Sequence, residues 1–275
     1  MKKKVAIQGL KGSFHHKAAR NYFGNEIELV ECETFQDVVQ NVKEANSAFG
    51  IMAIENSLAG SIIPNYALLR QQEITICGEL TLRVKMNLMA LSGRTLLDIS
   101  EVHSHQMAIR QCSTFLQLNP GFKVVESFDT AGSAADIHER KLKETAAIAS
   151  ELAAETYGLH ILARGIEDNQ RSYTRFLVLS RNDLDVSGAD KASLYLETAH
   201  EVGALAFVLS KISDKKINLS KLQSHPVPHS KGAYGFFVDL EFDSTNQLNE
   251  LLENLKPETE VLDCLGIYKK GETYE

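Results

Sequence analysis

The sequence predicts an α/β protein in two parts. A long N-terminal region carries parallel sheets with helices on both faces, and a smaller C-terminal unit has the order β-α-β-β-α-β. Three observations support this. Up to about residue 180, short apolar runs alternate with stretches of helical period, as in strands joined by crossover helices. Asn182–Lys191 (NDLDVSGADK) is polar with one Gly and reads as a linker. Beyond it, two strand-like runs follow each other with no helix between them, which marks a split β-α-β unit.

The elements follow in order. Val5–Gln8 is a strand, followed by a Gly-containing turn and a helix through Ala18, Ala19 and Tyr22. Gly50–Ile54 is the next strand, and Pro64 suits the first turn of the helix after it. Val102–Ser104 runs into an amphipathic helix with Met107, Ile109, Cys112 and Phe115 as its expected buried set. Val124–Phe128 is a strand, and Thr130 opens a helix through Ala134, Ala135 and Ile137. Ala146–Ala149 is a strand, and Ser150 starts the helix Leu152–Tyr157. Past the linker come a strand (Ala192–Thr198), a helix (Gly203–Ser213), two strands (Ile217–Leu222 and Tyr234–Phe242), a helix (Thr245–Leu255) and a last strand (Val261–Tyr268), the ferredoxin-like order. The N-terminal region is long enough to divide into two α/β lobes.

Composition narrows the function. The 275 residues are 44% hydrophobic, enough for proper cores, and the net charge of -7 disfavours nucleic acid as a partner. Lys2-Lys3-Lys4 is too short for a basic arm, and Val5–Gly9 too short for a signal-peptide core. No apolar stretch is long enough for a membrane span. The 4 cysteines (Cys32, Cys77, Cys112, Cys264) have no paired spacing, which argues against a zinc site or disulfide frame and fits reduced thiols in the cytoplasm.

The chemistry points to a small carboxylate. Tyr173–Leu179 reads as a buried strand of a parallel sheet that opens with Thr174 and Arg175. An unpaired buried arginine is costly, so Arg175 is expected to meet an anion, held through two parallel hydrogen bonds. Small hydroxyls stand between strand and helix at Ser13, at Ser57 and Ser61, at Ser104 and at Thr130. Each is a natural N-cap, and helix starts gathered at the carboxyl ends of strands make an anion site. Glu55 reads as a turn or helix cap, and Asn56 as a ligand contact. The pairs His15-His16 and His103-Ser104-His105 lack the spacing of a metal site. His15 and His16 read as helix-surface or supporting groups, and His105, at a helix start, as the site histidine. Gly-x-Ser-x-Gly, the phosphate loop and the dinucleotide fingerprint are absent from the sequence. Chemistry without a cofactor, by proton delivery and electrostatic stabilisation, is what remains.

Five motifs, in order, resemble those of prephenate dehydratases. They are Gly9-x-x-Gly12-Ser13-Phe14, Ile54-Glu55-Asn56-Ser57-x-x-Gly60-Ser61, Ser104-His105-Gln106, Thr130-Ala131 and Thr174-Arg175-Phe176. The likeness covers about residues 5–180, and the C-terminal unit resembles the ACT regulatory domain that follows the catalytic part in this family. It implies a catalytic domain over 1–182, two-lobed like a small periplasmic binding protein, and an ACT domain over 190–275. It further implies decarboxylating dehydration of prephenate, with Thr174 and Arg175 catalytic. Ser13, Asn56, Ser57, Gly60, Ser61, Ser104, His105, Gln106, Thr130 and Phe176 would bind substrate. L-phenylalanine is implied as allosteric effector at Gly203, Ala204, Leu205, Asn218, Leu219, Ser224, His225 and Pro226, in a cytoplasmic homodimer or homotetramer. The motifs begin at Gly9, which leaves no expected room before them for a fused chorismate mutase. Three positions depart from the family pattern: Ser172 stands for a frequent Asn, Ala53 for Pro, and Gln223-Ser224-His225-Pro226 for Glu-Ser-Arg-Pro. Arogenate dehydration and a non-catalytic amino-acid sensor are the alternatives.

Overall fold

The computed structural model describes residues 2–70, 74–181, 186–227 and 233–275. Residues 182–185 of the expected linker lie outside the described residues. The chain runs β1 (Lys3–Gln8), α1 (Phe14–Phe23), β2 (Ile27–Cys32), α2 (Phe35–Lys43), β3 (Phe49–Asn56), β4 (Gly60–Ser61), α3 (Ile63–Leu69) and β5 (Thr75–Arg83). It then crosses to β6 (Asn87–Ala90), β7 (Glu101–His105), α4 (Gln106–Gln111), α5 (Ser113–Leu118), β8 (Lys123–Ser127), α6 (Thr130–Arg140), β9 (Thr145–Ala149), α7 (Glu151–Tyr157) and β10 (His160–Ala163). It returns at β11 (Tyr173–Ser180) and continues through β12 (Lys191–Glu197), α8 (Ala204–Asp214), β13 (Asn218–Pro226), β14 (Tyr234–Glu241), α9 (Thr245–Leu255), β15 (Val261–Tyr268) and β16 (Thr273–Tyr274).

The described residues form three sheets, ordered β16-β5-β11-β3-β1-β2, β10-β6-β9-β7-β8 and β13-β14-β12-β15. The first two belong to the two lobes, joined by chain crossings after β5 and before β11. Both are mixed rather than parallel: β11 runs antiparallel to β3 and β5, and β6 antiparallel to β9 and β10. This corrects the parallel reading of Tyr173–Leu179. A buried strand shows the same apolar run whichever way it points, and the return from the second lobe brings β11 in against β3. The pattern also passed over β2, β5, β6 and β10. The expected buried set on α4 and α5 is corrected too: Ala108 and Cys112 are buried, while Met107 is exposed and Ile109 and Phe115 are half-buried.

The C-terminal sheet has the split β-α-β order read from the sequence. Val208 and Ile212 of α8 and Leu248, Leu251 and Leu255 of α9 close one face of it. The other face packs on the first lobe: Met52, Ile54, Tyr66, Ile76 and Leu177 share a buried cluster with Tyr195, Phe237, Leu265 and Tyr268. The approach is close. A Cβ on Gly266 of β15 would overlap the Ile76 carbonyl oxygen of β5. Gly266→Ala is therefore expected to lose about 1–3 kcal/mol in urea unfolding, the usual cost of overpacking. Gly121→Ala, a site with no atom within 4 Å of the added Cβ, serves as the control.

Candidate active site

The two lobes face each other across a cleft of about 370 Å³. Its floor is the start of β11, where Thr174 and Phe176 point inward. Ser13 comes from the start of α1, Asn56 from the end of β3, His105 from the junction of β7 and α4, and Thr130 from the start of α6. Helices from both lobes thus begin at the cleft. The lobes touch above it, where Ser150 Oγ donates to the Gly12 carbonyl at 2.5 Å and Tyr157 Oη to that of Lys11 at 2.9 Å.

Asn56 organises the floor. Its Oδ1 accepts the backbone N–H groups of Leu58 (2.9 Å) and Ala59 (3.0 Å), which fixes the amide orientation. Its Nδ2 therefore donates, to Thr174 Oγ1 at 3.0 Å and Ser172 Oγ at 3.3 Å. With an acceptor bond already made to Asn56, the Thr174 hydroxyl keeps its proton for another acceptor.

Arg175 departs most from expectation. It lies on the opposite face of β11, away from the cleft, because successive strand residues point to opposite sides. There it pairs with Glu79 of β5 (2.6 Å) and with Asp239 of β14 (2.5 Å), and Nη2 donates to Tyr268 Oη of β15 at 3.2 Å. Burial opposes its charge, but Asp239, Tyr268 and Glu79 outweigh burial and hold the guanidinium above its usual pKa. Lys191 Nζ completes the cluster at 2.9 Å from Glu79. The anion that Arg175 meets is thus the protein's own, and it binds β11 to the C-terminal unit. Glu55 likewise faces that unit: it pairs with Lys221 of β13, which also reaches Ser61 Oγ at 2.9 Å. Glu55 therefore caps neither turn nor helix.

The remaining expected residues divide. Ser13 is the N-cap of α1. His105 caps α4 through Nδ1, and Asp129 rather than Thr130 caps α6. Ser104 is buried and donates to the Ile148 carbonyl at 2.6 Å, so it holds two strands of the second lobe together instead of capping. Ser57 bonds Arg171 and Tyr173 backbone, and Gly60 and Ser61 form β4; these three line no part of the cleft. Gln106 Nε2 reaches Glu126 at 3.2 Å in the adjoining groove. His15, expected as a helix-surface or supporting group, lines the cleft, its ring against Phe35 and Phe176. The signal was in the sequence: His15 shares a helix face with Ala18, Ala19 and Tyr22 at i+3, i+4 and i+7. His16 Nδ1 accepts the Gly12 N–H at 2.9 Å.

Two α/β lobes closing on a cleft that gathers helix starts, with a polar floor and aromatic walls, define a protein of the two-lobed, periplasmic-binding-protein-like class. The model of the prephenate dehydratase family matches residues 5–184. The chain belongs to the prephenate dehydratase family, and is a hydro-lyase. It is 35% identical over 98% of its length to the bifunctional chorismate mutase/prephenate dehydratase of Aquifex aeolicus, of which 74% is covered. Among solved structures, the prephenate dehydratase of Arthrobacter aurescens in complex with L-Phe superposes with a TM-score of 0.86 at 26% identity, covering 97% of this chain and 90% of that one. A structure described as a novel type of quorum quenching acylase, GqqA, superposes with a TM-score of 0.88 at 31% identity over 98% of both chains.

Proposed function

We propose that the cleft binds prephenate and that Thr174 assists the departing ring hydroxyl as hydrogen-bond or proton donor. The observation that carries this is the Asn56–Thr174 bond, which leaves the threonine proton free to face the cleft. Loss of carbon dioxide and hydroxide together makes the ring aromatic, so only partial proton transfer is asked of a weak acid. The aromatic walls lower local polarity, which favours decarboxylation. The start of α1 at Ser13 meets the dianion, since no Lys or Arg is among the described residues lining the cleft and Asp129 already caps the start of α6. An acyl-transfer reading is less well served, because the Thr174 hydroxyl is held by an amide and not by a histidine. Purified protein turning over prephenate to phenylpyruvate is the expected result. Turnover of arogenate alone, or of neither, would overturn the substrate assignment.

The C-terminal unit is read as an ACT domain that binds L-phenylalanine in a cytoplasmic homodimer or homotetramer. Two observations support this. The Arthrobacter aurescens relative is described as a complex with L-Phe. In addition, Gly203–Leu205 and Ser224–Pro226 lie where β12 and β13 end, whereas Asn218 and Leu219 begin β13 at the other end of α8, roughly 16 Å away for its 11 residues. A second copy can bring the two sets together. Gly203 has φ 89°, a left-handed conformation that favours glycine at this approach. L-phenylalanine is expected to suppress turnover and raise Tm; an unchanged rate and Tm would remove the regulatory assignment.

A further inference from the structure

His15 belongs to the first turn of α1, and its ring sits in an aromatic box. Phe35 lies at a centroid distance of 5.3 Å and Phe176 at 5.1 Å, the latter met edge-on. Its Nε2 is buried and has no hydrogen-bond partner among the described protein groups. A buried polar atom left unpaired costs about 1–3 kcal/mol. The box therefore offers His15 nothing in return for its polarity, and a Leu or Phe would fill the space at lower cost. His15 lines the cleft together with Thr174.

We infer that His15 is a substrate-contacting residue whose neutral imidazole donates an N–H hydrogen bond into the cleft, to the departing ring hydroxyl, alongside Thr174. The inference rests on the proposed role of Thr174. Phe176, against which His15 packs, lies two residues beyond Thr174 on the same face of β11, about 7 Å along the strand. A six-membered ring lying across the floor would present its hydroxyl between the two donors. Desolvation lowers the His15 pKa to about 4, so the ring is uncharged at neutral pH. A neutral imidazole does not give up its proton here. It stabilises the negative charge that grows on oxygen as the carbon–oxygen bond breaks, while carbon dioxide leaves from the ring and its bonding pair completes the aromatic system. The hydroxide takes its proton from water, or from Thr174 with water returning a proton to the threonine, so the step balances without any co-reactant.

The test compares wild type, His15→Leu, His15→Gln and Thr174→Ala for kcat and KM with prephenate, and for Tm. His15→Leu is expected to lower kcat about 100-fold with KM changed only a few-fold, as on removing a donor to a developing oxyanion. Its Tm should hold or rise, because an unpaired polar atom gives way to an apolar one. His15→Gln restores an N–H donor and is expected to recover most of the loss. A structural role alone would show the reverse, a falling Tm with kcat preserved. His15→Leu with kcat within about threefold of wild type would overturn the inference. So would equal losses in the Leu and Gln variants. If His15→Leu fails to fold, His15→Phe keeps an aromatic ring in the box, drops the nitrogen and carries the same test. Inactive Thr174→Ala beside active His15→Leu sinks only this inference, whereas active Thr174→Ala sinks the site reading beneath it.

Discussion

Thr174→Ala is expected to lower kcat by about 100- to 1000-fold while KM moves only a few-fold. In its proposed role the hydroxyl is offered to a charge that develops only as the carbon–oxygen bond breaks, so it would stabilise the transition state more than bound substrate. The fold should tolerate the change. Thr174 is half-buried at the start of β11, and Asn56 keeps its bonds to Leu58 and Ala59. Steady-state kinetics with prephenate, alongside an unfolding curve, separates the two effects. Near-normal kcat would show that the hydroxide leaves without help from this residue. Asn56→Asp is an informative companion, because a carboxylate accepts where the amide donates and would draw the Thr174 proton away from the cleft.

The second large effect concerns stability. Arg175→Ala is expected to cost about 3–5 kcal/mol, because it leaves buried carboxylates without their partner. Asp239 and Glu79 are both nearly inaccessible, and Lys191 remains only for Glu79. The bond to Asp239 joins β11 to the C-terminal unit, so that unit should unfold or undock at lower urea than the lobes. Adding Asp239→Asn to Arg175→Ala should recover part of the loss, since the stranded charge is then gone. Had Arg175 anchored substrate from the cleft, the same substitution would raise KM and leave Tm near wild type. That outcome would reverse the placement of this side chain.

These interface pairs also place the C-terminal unit against the back of the cleft floor. Arg175 is the chain neighbour of Thr174, and Glu55 of Asn56, the two floor residues that bond each other. Asp239 and Lys221 of the C-terminal sheet hold the backs of those same two strands. Movement of that sheet bears directly on the strands that carry the hydroxyl and its amide.

Much of this was legible in the sequence. Alternating apolar runs and helical periods marked the α/β class, and two successive strands after residue 217 marked the split unit, whose helix Thr245–Leu255 and strand Val261–Tyr268 were read to the residue. The motifs at Gly9, Ile54, Ser104, Thr130 and Thr174 marked the segments from which the cleft is built. Each of these signals is local: a period, a cap or a turn is decided by residues a few positions apart.

What the tertiary structure decided was direction and facing. The run Tyr173–Ser180 is equally apolar read either way, so only its partners β3 and β5 show that it is antiparallel. Strand alternation already implied that Thr174 and Arg175 face apart, but not which of them meets the cleft. That follows from a C-terminal sheet packed on the back of β11, with Asp239, 64 residues away, waiting for the guanidinium. Ser104, Ser57 and Ser61 look alike as small hydroxyls beside helix starts, yet their oxygens bond protein groups rather than facing the cleft. A charge or hydroxyl is recruited by whatever partner the fold sets within about 3 Å, and that partner is usually distant in sequence.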